Sequence, residues 1–282
     1  MKSFNNRVAA ITGASSGIGR ALALELAARK CHLALCSHSN QQGLAETAEQ
    51  AARHGVTVTQ ARVDVASREQ VEAWAAQVVQ EHGRVNLVIN NAGVALAGTV
   101  AATGIEDYEW LMGINFWGVL YGTKAFLPHL QAAGEGHIVN ISSIFGLFAQ
   151  PGMSAYNASK FAVRGFTESL RQELDLARNG VSATCVHPGG VRTNIASSAR
   201  TSDSIAELTG GNAADGMKQF EKLLNTSAEQ AARQILRGVQ KNARRVLVGL
   251  DARAADSLQR LMPARYQSLL TGGLRLLKQR GA

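Results

Sequence analysis

The first strand of this chain breaks straight into glycine. Val8 to Ile11 is apolar and β-prone, Thr12-Gly13-Ala14-Ser15-Ser16-Gly17-Ile18-Gly19 follows at once, and Arg20 to Lys30 continues in helical rhythm with Leu22, Leu26 and alanines on one side. A strand, a tight turn and a helix amino terminus in that order commit the chain to an α/β unit. Gly13, Gly17 and Gly19 carry no Cβ, so backbone N–H groups there can approach a diphosphate, and the first-turn donors of the helix favour an anion. Ser15, Ser16 and Ile18 complete this candidate cofactor turn. The spacing is G-x-x-x-G-x-G rather than the usual G-x-G-x-x-G, and by itself it leaves open a glycine-rich βα turn without a ligand.

Alternating β and α patterns recur along the rest of the chain. Strands are expected at Val8–Thr12, His32–Ser37, Val56–Val63, Val85–Asn90, His137–Ser142, Val181–His187 and Arg245–Gly249, with helices between them. Such alternation predicts a parallel, doubly wound sheet covered on both faces. Three capping boxes, Ser67 with Gln70, Thr103 with Glu106 and Thr226 with Glu229, mark helix starts. No low-complexity linker divides the 282 residues, so residues 1–250 read as one domain, followed by an extension over 251–282. Residues 194–226 loosen into Ser, Gly and Asp with apolar Ile195, Ile205, Leu208, Met217 and Phe220, the pattern of a lid over a substrate. Met1 to Arg7 lacks the apolar stretch of a signal peptide, which makes the cytoplasm the default location. Cys31, Cys36 and Cys185 show neither paired-cysteine nor His spacing, so they read as small core hydrophobes and no metal site is expected.

The chemistry gathers at strand ends. Val85–Ile89 closes on Asn90-Asn91-Ala92-Gly93, and His137–Ile141 closes on Ser142-Ser143, both at the edge where open α/β sheets bind ligands. Tyr156 and Lys160 share one face of a helix expected over Ser154–Arg178, which brings an ammonium near a phenol and favours phenolate. A tyrosine with an ordinary pKa of about 10 must lose roughly 3 units to act as a base near neutrality. Lys160 and the positive charge of an oxidised nicotinamide are the candidates to supply that.

In these motifs, their order and their spacing, Arg7 to about Gly249 resembles the short-chain dehydrogenase/reductase family, in its form of about 250 residues with a C-terminal extension. The resemblance implies a Rossmann-type sheet of seven strands in the order 3-2-1-4-5-6-7. It implies that Tyr156 exchanges the proton, Ser143 holds the substrate oxygen, Lys160 tunes the phenol and binds the ribose, and Asn115 supports a water relay. Ser143 is preferred to its neighbour Ser142 because the family spaces this serine about thirteen residues before its tyrosine. Asn115 has a plainer reading as a polar neighbour inside the helical segment Ile105 to Leu130. Thr193 resembles the residue that meets the nicotinamide carboxamide, and Asp64, followed by Val65, resembles the acid beside the adenine. The alternative for Asp64 is a turn residue only. Asn91, Ala92, Gly93, Pro188 and Gly189 complete the implied cofactor lining. A homodimer or homotetramer is implied by the resemblance alone.

The end of the second strand, Cys36-Ser37-His38-Ser39-Asn40, carries no carboxylate to repel a 2′-phosphate, and Ser37 and His38 offer hydrogen bonds to one, which favours NADP over NAD. The arginine or lysine typical of strong NADP binders is missing there and at Ser16. Val94–Leu96, Ile144–Met153 and the lid frame a pocket in which Phe145, Phe148 and Met153 join Ser143 and Tyr156, so the expected substrate is a small lipophilic carbonyl compound or alcohol. An NAD(P)-dependent oxidoreductase is the expected function. A non-catalytic dinucleotide sensor or scaffold, and a lyase or epimerase of the same family, are the rival readings.

Charge is unevenly placed. Residues 1–190 hold 14 Lys+Arg and 14 Asp+Glu, whereas residues 191–282 hold 15 and 7. No nucleic-acid-binding module accompanies the basic end. Tyr266, Leu269, Leu270, Leu274 and Leu277 form an apolar stripe among Arg265, Arg275, Lys278 and Arg280. Peripheral contact with an anionic membrane is one reading of this tail; packing on its own domain or on a partner subunit is the favoured one.

Overall fold

The computed structural model describes residues 1–209 and 225–280. Seven strands, β1 (Val8–Thr12), β2 (His32–Ser37), β3 (Val58–Arg62), β4 (Leu87–Asn90), β5 (Gly136–Ile141), β6 (Val181–Pro188) and β7 (Arg245–Val248), form one sheet in the spatial order β3-β2-β1-β4-β5-β6-β7. All six pairings are parallel. Parallel neighbours need long crossovers, which are supplied by α1 (Gly17–Ala28), α2 (Gln41–Ala52), α3 (Arg68–His82), α4 (Ile105–Met112), α5 (Gly118–Ala132), α6 (Ser154–Ala177), α7 (Ser204–Thr209) and α8 (Ala228–Gln240).

The strands read as continuous apolar runs because both faces are covered. Ile11, Leu33, Leu35, Ile89 and Val139 project to one face, against Leu22 and Leu26 of α1, Leu44 of α2 and Ile235 and Leu236 of α8. Their alternates Ala10, Ala34, Val88, Ile138 and Ala183 meet Val71 and Trp74 of α3, Phe126 and Leu130 of α5 and Leu170 and Leu174 of α6. The winding reverses between β1 and β4. The crevice of a doubly wound sheet opens at that seam, at the carboxyl ends of the strands.

A second, two-stranded sheet pairs Leu96–Ala97 with Arg200–Thr201 and ties the expected lid to the segment after β4. Arg200 also stacks 3.6 Å over the Trp110 ring and pairs with Asp107 at 2.7 Å. Met217 and Phe220 lie outside the described residues. Two further helices, α9 (Leu250–Leu261) and α10 (Arg265–Arg280), form the extension. Tyr266 of α10 is buried on the dehydrogenase body. Among the described residues no helix is long and apolar enough to cross a membrane.

Helix starts depart from the expected boxes for identifiable reasons. Ser67 caps the Gln70 N–H at 3.3 Å, but the Gln70 side chain accepts from the Asp64 N–H instead of closing the box. Thr103 spends its hydroxyl on the Thr99 carbonyl at 2.8 Å, and the cap residue is Gly104. Thr226 bridges to Val191, which moves the cap one residue on: Ser227 and Gln230 form the complete box, at 3.2 and 3.1 Å. Ser227→Ala is therefore expected to destabilise the chain by about 1 kcal/mol in urea titration, while Thr103→Ala has the smaller effect; the reverse ranking contradicts this cap assignment.

Candidate active site

The glycine turn sits at the β1–β4 seam. Gly13 (φ +65°) and Gly17 (φ +53°) occupy left-handed conformations, and α1 begins at Gly17, three residues earlier than the apolar rhythm indicates. A Cβ at Gly13 would stand 2.9 Å from Ala92 Cα, and one at Gly17 would stand 3.1 Å from Thr193 Cγ2. Ser16, the residue before α1, makes no side-chain cap. The helix thus presents uncapped N–H donors in a cradle that side chains would fill, bounded by Thr193. This donor set fits the diphosphate of a nicotinamide dinucleotide.

The seam is stitched by its own polar groups. The Thr12 hydroxyl accepts from the N–H groups of Asn91 and Ala92 at 2.9 and 3.0 Å, and Asn91 Nδ2 donates to the carbonyls of Thr12 and Gly13. Beneath it, buried Asn90 donates to Asn140 Oδ1 at 2.8 Å, and Asn140 donates to Thr167. Ser37 donates to Ser15 Oγ at 3.0 Å, while His38 is exposed beyond it. Asp64 Oδ1 accepts from the Ala66 N–H at 3.0 Å, the turn geometry of the plainer reading, and Val65 beside it is buried. At the end of β6, the Gly189 N–H donates to the Val248 carbonyl at 3.0 Å, which holds the Pro188-Gly189 turn against β7.

Ser143, Tyr156 and Lys160 converge at the carboxyl edge of β5, all less than a tenth exposed. Ser142 bonds the Lys160 backbone carbonyl at 2.8 Å and so serves the β5–α6 joint, leaving the Ser143 hydroxyl to the phenol side. Lys160 Nζ donates to the Ile141 carbonyl at 3.2 Å and lies 5.5 Å from the Tyr156 ring centroid. Burial pushes the Tyr156 phenol up to about 12, opposed by its hydrogen bond with Ser143, and brings the Lys160 ammonium down to about 8. The protein alone thus holds the phenol protonated; desolvation outweighs the lowering that the Tyr–Lys spacing predicts.

Asn115 sits in a π-helical turn, Gly113–Trp117, inserted between α4 and α5 where one continuous helix is expected. Its side chain is fully buried: Oδ1 accepts from the Val94 N–H at 2.8 Å, and Nδ2 donates to the Val94 carbonyl and to Ser159 Oγ. A Cβ on Gly93 would stand 3.2 Å from Asn115 Oδ1 and 3.5 Å from Lys160 Nζ. The widened turn and the lysine therefore border the same glycine.

The expected substrate lining assembles as one apolar cluster around Tyr156: Ala95, Leu96, Leu111, Phe145 and Ala155, flanked by Phe148 and Met153. Ile195 and Leu208 stay more than a third exposed. Two neighbours were not singled out from sequence. Tyr266 belongs to the apolar stripe of the tail, yet its hydroxyl accepts from the Ala149 N–H at 3.1 Å. Edge-on ring contacts then run from Tyr266 to Phe148, Phe148 to Phe145 and Phe145 to Tyr156, at 6.0, 5.4 and 6.2 Å. His187 precedes Pro188 at the carboxyl end of a buried strand, a visible signal. Its Nδ1–H donates to the Ser143 carbonyl at 2.9 Å, and burial brings the ring down to about 4.

The family profile described as short chain dehydrogenase matches residues 7–204. The Mycobacterium tuberculosis protein described as "Putative oxidoreductase SadH" is 51% identical over 274 residues, covering 97% of each chain. Dehydrogenase/reductase SDR family member 7B of Danio rerio is 33% identical, covering 98% of this chain and 87% of its own. A short chain dehydrogenase/reductase from Burkholderia phymatum, solved in complex with NAD, superposes with a TM-score of 0.85 at 29% identity, over 95% of this chain and 97% of that one. The chain belongs to the short-chain dehydrogenase/reductase family. With that family it is an NAD(P)-dependent oxidoreductase.

His187 stays neutral in the folded chain down to about pH 4, whereas an unfolded histidine takes up a proton below about 6.5. Its contribution is fully present above pH 6.5 and is lost as pH falls toward 4. Urea unfolding at pH 5 is expected to show stability lowered by roughly 2 kcal/mol from this group relative to pH 7, and His187→Gln is expected to flatten that dependence. An unchanged pH slope in the variant contradicts the assignment.

Proposed function

We propose that this chain interconverts a lipophilic ketone or aldehyde with the corresponding alcohol, with Tyr156 as acid/base and NADP favoured over NAD. The observation that carries this reading is the buried Tyr156 phenol, hydrogen-bonded to Ser143, backed by Lys160 and walled by apolar side chains. When bound, the dinucleotide gives or accepts hydride at nicotinamide C4. Gly13, Ser15, Ser16, Gly17, Ile18, Gly19, Asn91, Ala92, Gly93 and Thr193 hold it along the seam, and Lys160 also binds its ribose.

In the reducing direction Ser143 orients the carbonyl oxygen and Tyr156 donates its proton to that oxygen. The high phenol pKa keeps that proton in place until the alkoxide develops, and Lys160 then stabilises the phenolate left behind. Asn115 maintains the proton path back to Lys160. Phe145, Phe148 and Met153 exclude water and select lipophilic substrates. The preference for NADP rests on the absence of a carboxylate over Ser37, His38, Ser39 and Asn40. A cytoplasmic homodimer or homotetramer completes the reading. Trp117, exposed and stacked on Tyr121, and exposed Phe161 offer apolar surface for self-association.

Tyr156→Phe is expected to lower turnover about a thousand-fold in a nicotinamide absorbance assay while the cofactor dissociation constant stays within about two-fold; retained turnover removes the mechanism. Fluorescence titration is expected to show NADPH bound at least about ten-fold more tightly than NADH, a difference of about 1.4 kcal/mol. A preference for NADH removes the cofactor assignment and leaves the proton chemistry standing.

A further inference from the structure

Helix α9 wears its leucines on the outside. Its inner side is fixed by buried Ala252 and by Asp256, which pairs with Arg245 at 3.1 Å and Arg260 at 2.8 Å. At about 100° per residue, Leu250, Ala254, Leu258 and Leu261 share one arc of roughly 80°, bordered by Arg253 and Arg260. Leu250 and Leu261 are 80% and 82% exposed, and Leu258 is 39% exposed. A helix docked on its own domain ordinarily turns polar residues outward, so this arc is inverted.

Beside the arc lies an open groove of about 420 Å³, lined by Gln230, Arg233, Gln234, Arg237, Leu250 and Arg253. Arg233 pairs with Glu25 at 3.1 Å, whereas Arg237 and Arg253 have no ion pair among the described residues. Asp251, which follows Leu250, is turned inward onto the Gly190 N–H. The next helix adds exposed Arg265 and Arg275 with Leu269 at 55% exposure. Residues 233–282 hold 11 Lys+Arg against 2 Asp+Glu.

We propose that α9 and the arginine groove form a docking face for an anionic lipid bilayer. Leu250, Leu258 and Leu261 enter the headgroup–acyl boundary while Arg237 and Arg253 meet lipid phosphates. Exposed leucines flanked by cations are the two components that interfacial binding requires, apolar area and attraction to anionic headgroups. A two-fold contact with a second copy is the poorer occupant, because it would bring two faces of the same positive charge together. Vesicle binding needs no turnover, so this inference stands apart from the catalytic reading.

The test is co-sedimentation of the full chain with phosphatidylcholine vesicles, with and without about one third phosphatidylglycerol, at low and high salt. Binding to the anionic vesicles is expected to exceed binding to the neutral ones about ten-fold and to fall in high salt. Leu250→Asp with Leu261→Asp is expected to reduce it at least about ten-fold while the melting temperature and turnover hold. Arg237→Gln with Arg253→Gln, which leaves the leucines in place, is expected to remove the preference for anionic vesicles. Absence of vesicle binding, or full binding by either double variant, overturns the proposal. So does a fall in oligomeric mass by light scattering in the leucine variant, which would make the face a contact between copies.

Discussion

Gly19 is where the site has no slack. A Cβ there would overlap the Gly13 carbonyl oxygen and stand 2.6 Å from Asn91 Nδ2. Because that atom is missing, α1 closes on the turn after β1 with the Asn91 amide fitted between them, and the hydrogen bonds of the Thr12 hydroxyl and the Asn91 side chain close the seam. Everything functional is placed relative to that contact. The helix amino terminus stays open to an anion, Thr193 lies over Gly17, and Gly93 is held beside Asn115 and Lys160.

The electrostatics of the site follow from burial more than from pairing. Tyr156 and Lys160 are both removed from water, so each is biased toward its neutral form: the phenol rises to about 12 and the ammonium falls to about 8. A lone Tyr–Lys pair does not make a base. In the proposed mechanism the pair becomes competent through what is brought to it, a developing negative charge in reduction or a cationic ring in oxidation. His187 supports the same corner as a neutral hydrogen-bond donor, held in one tautomer by the Ser143 carbonyl.

Much of the architecture was legible because buried parallel strands are bounded by abrupt changes in composition. β1 and β2 have the bounds their apolar runs indicate, while β3 and β4 each start two residues late, at Val58 and Leu87. Helix starts were less legible. A capping residue is recognised by type, and at Thr103 and Thr226 the tertiary bridge or turn had already claimed the threonine. In the site, Ser143, Tyr156 and Lys160 were legible from spacing along one strand end and one helix face. The π turn at Asn115 was hidden, since one extra residue per turn leaves no compositional mark. Asp64 carries the hydrogen bond of a turn residue, the alternative its neighbours left open.

Tyr266 lies far beyond the last strand in sequence, yet three ring contacts separate it from the phenol that the chemistry needs. The dehydrogenase body and its tail are therefore one shaping unit. A substitution at Tyr266 reaches the aromatic cluster around Tyr156 without touching any residue of the catalytic segment. On the proposed reading, the last helix helps set the shape of the apolar wall around Tyr156 while the nucleotide-binding architecture stands apart from it.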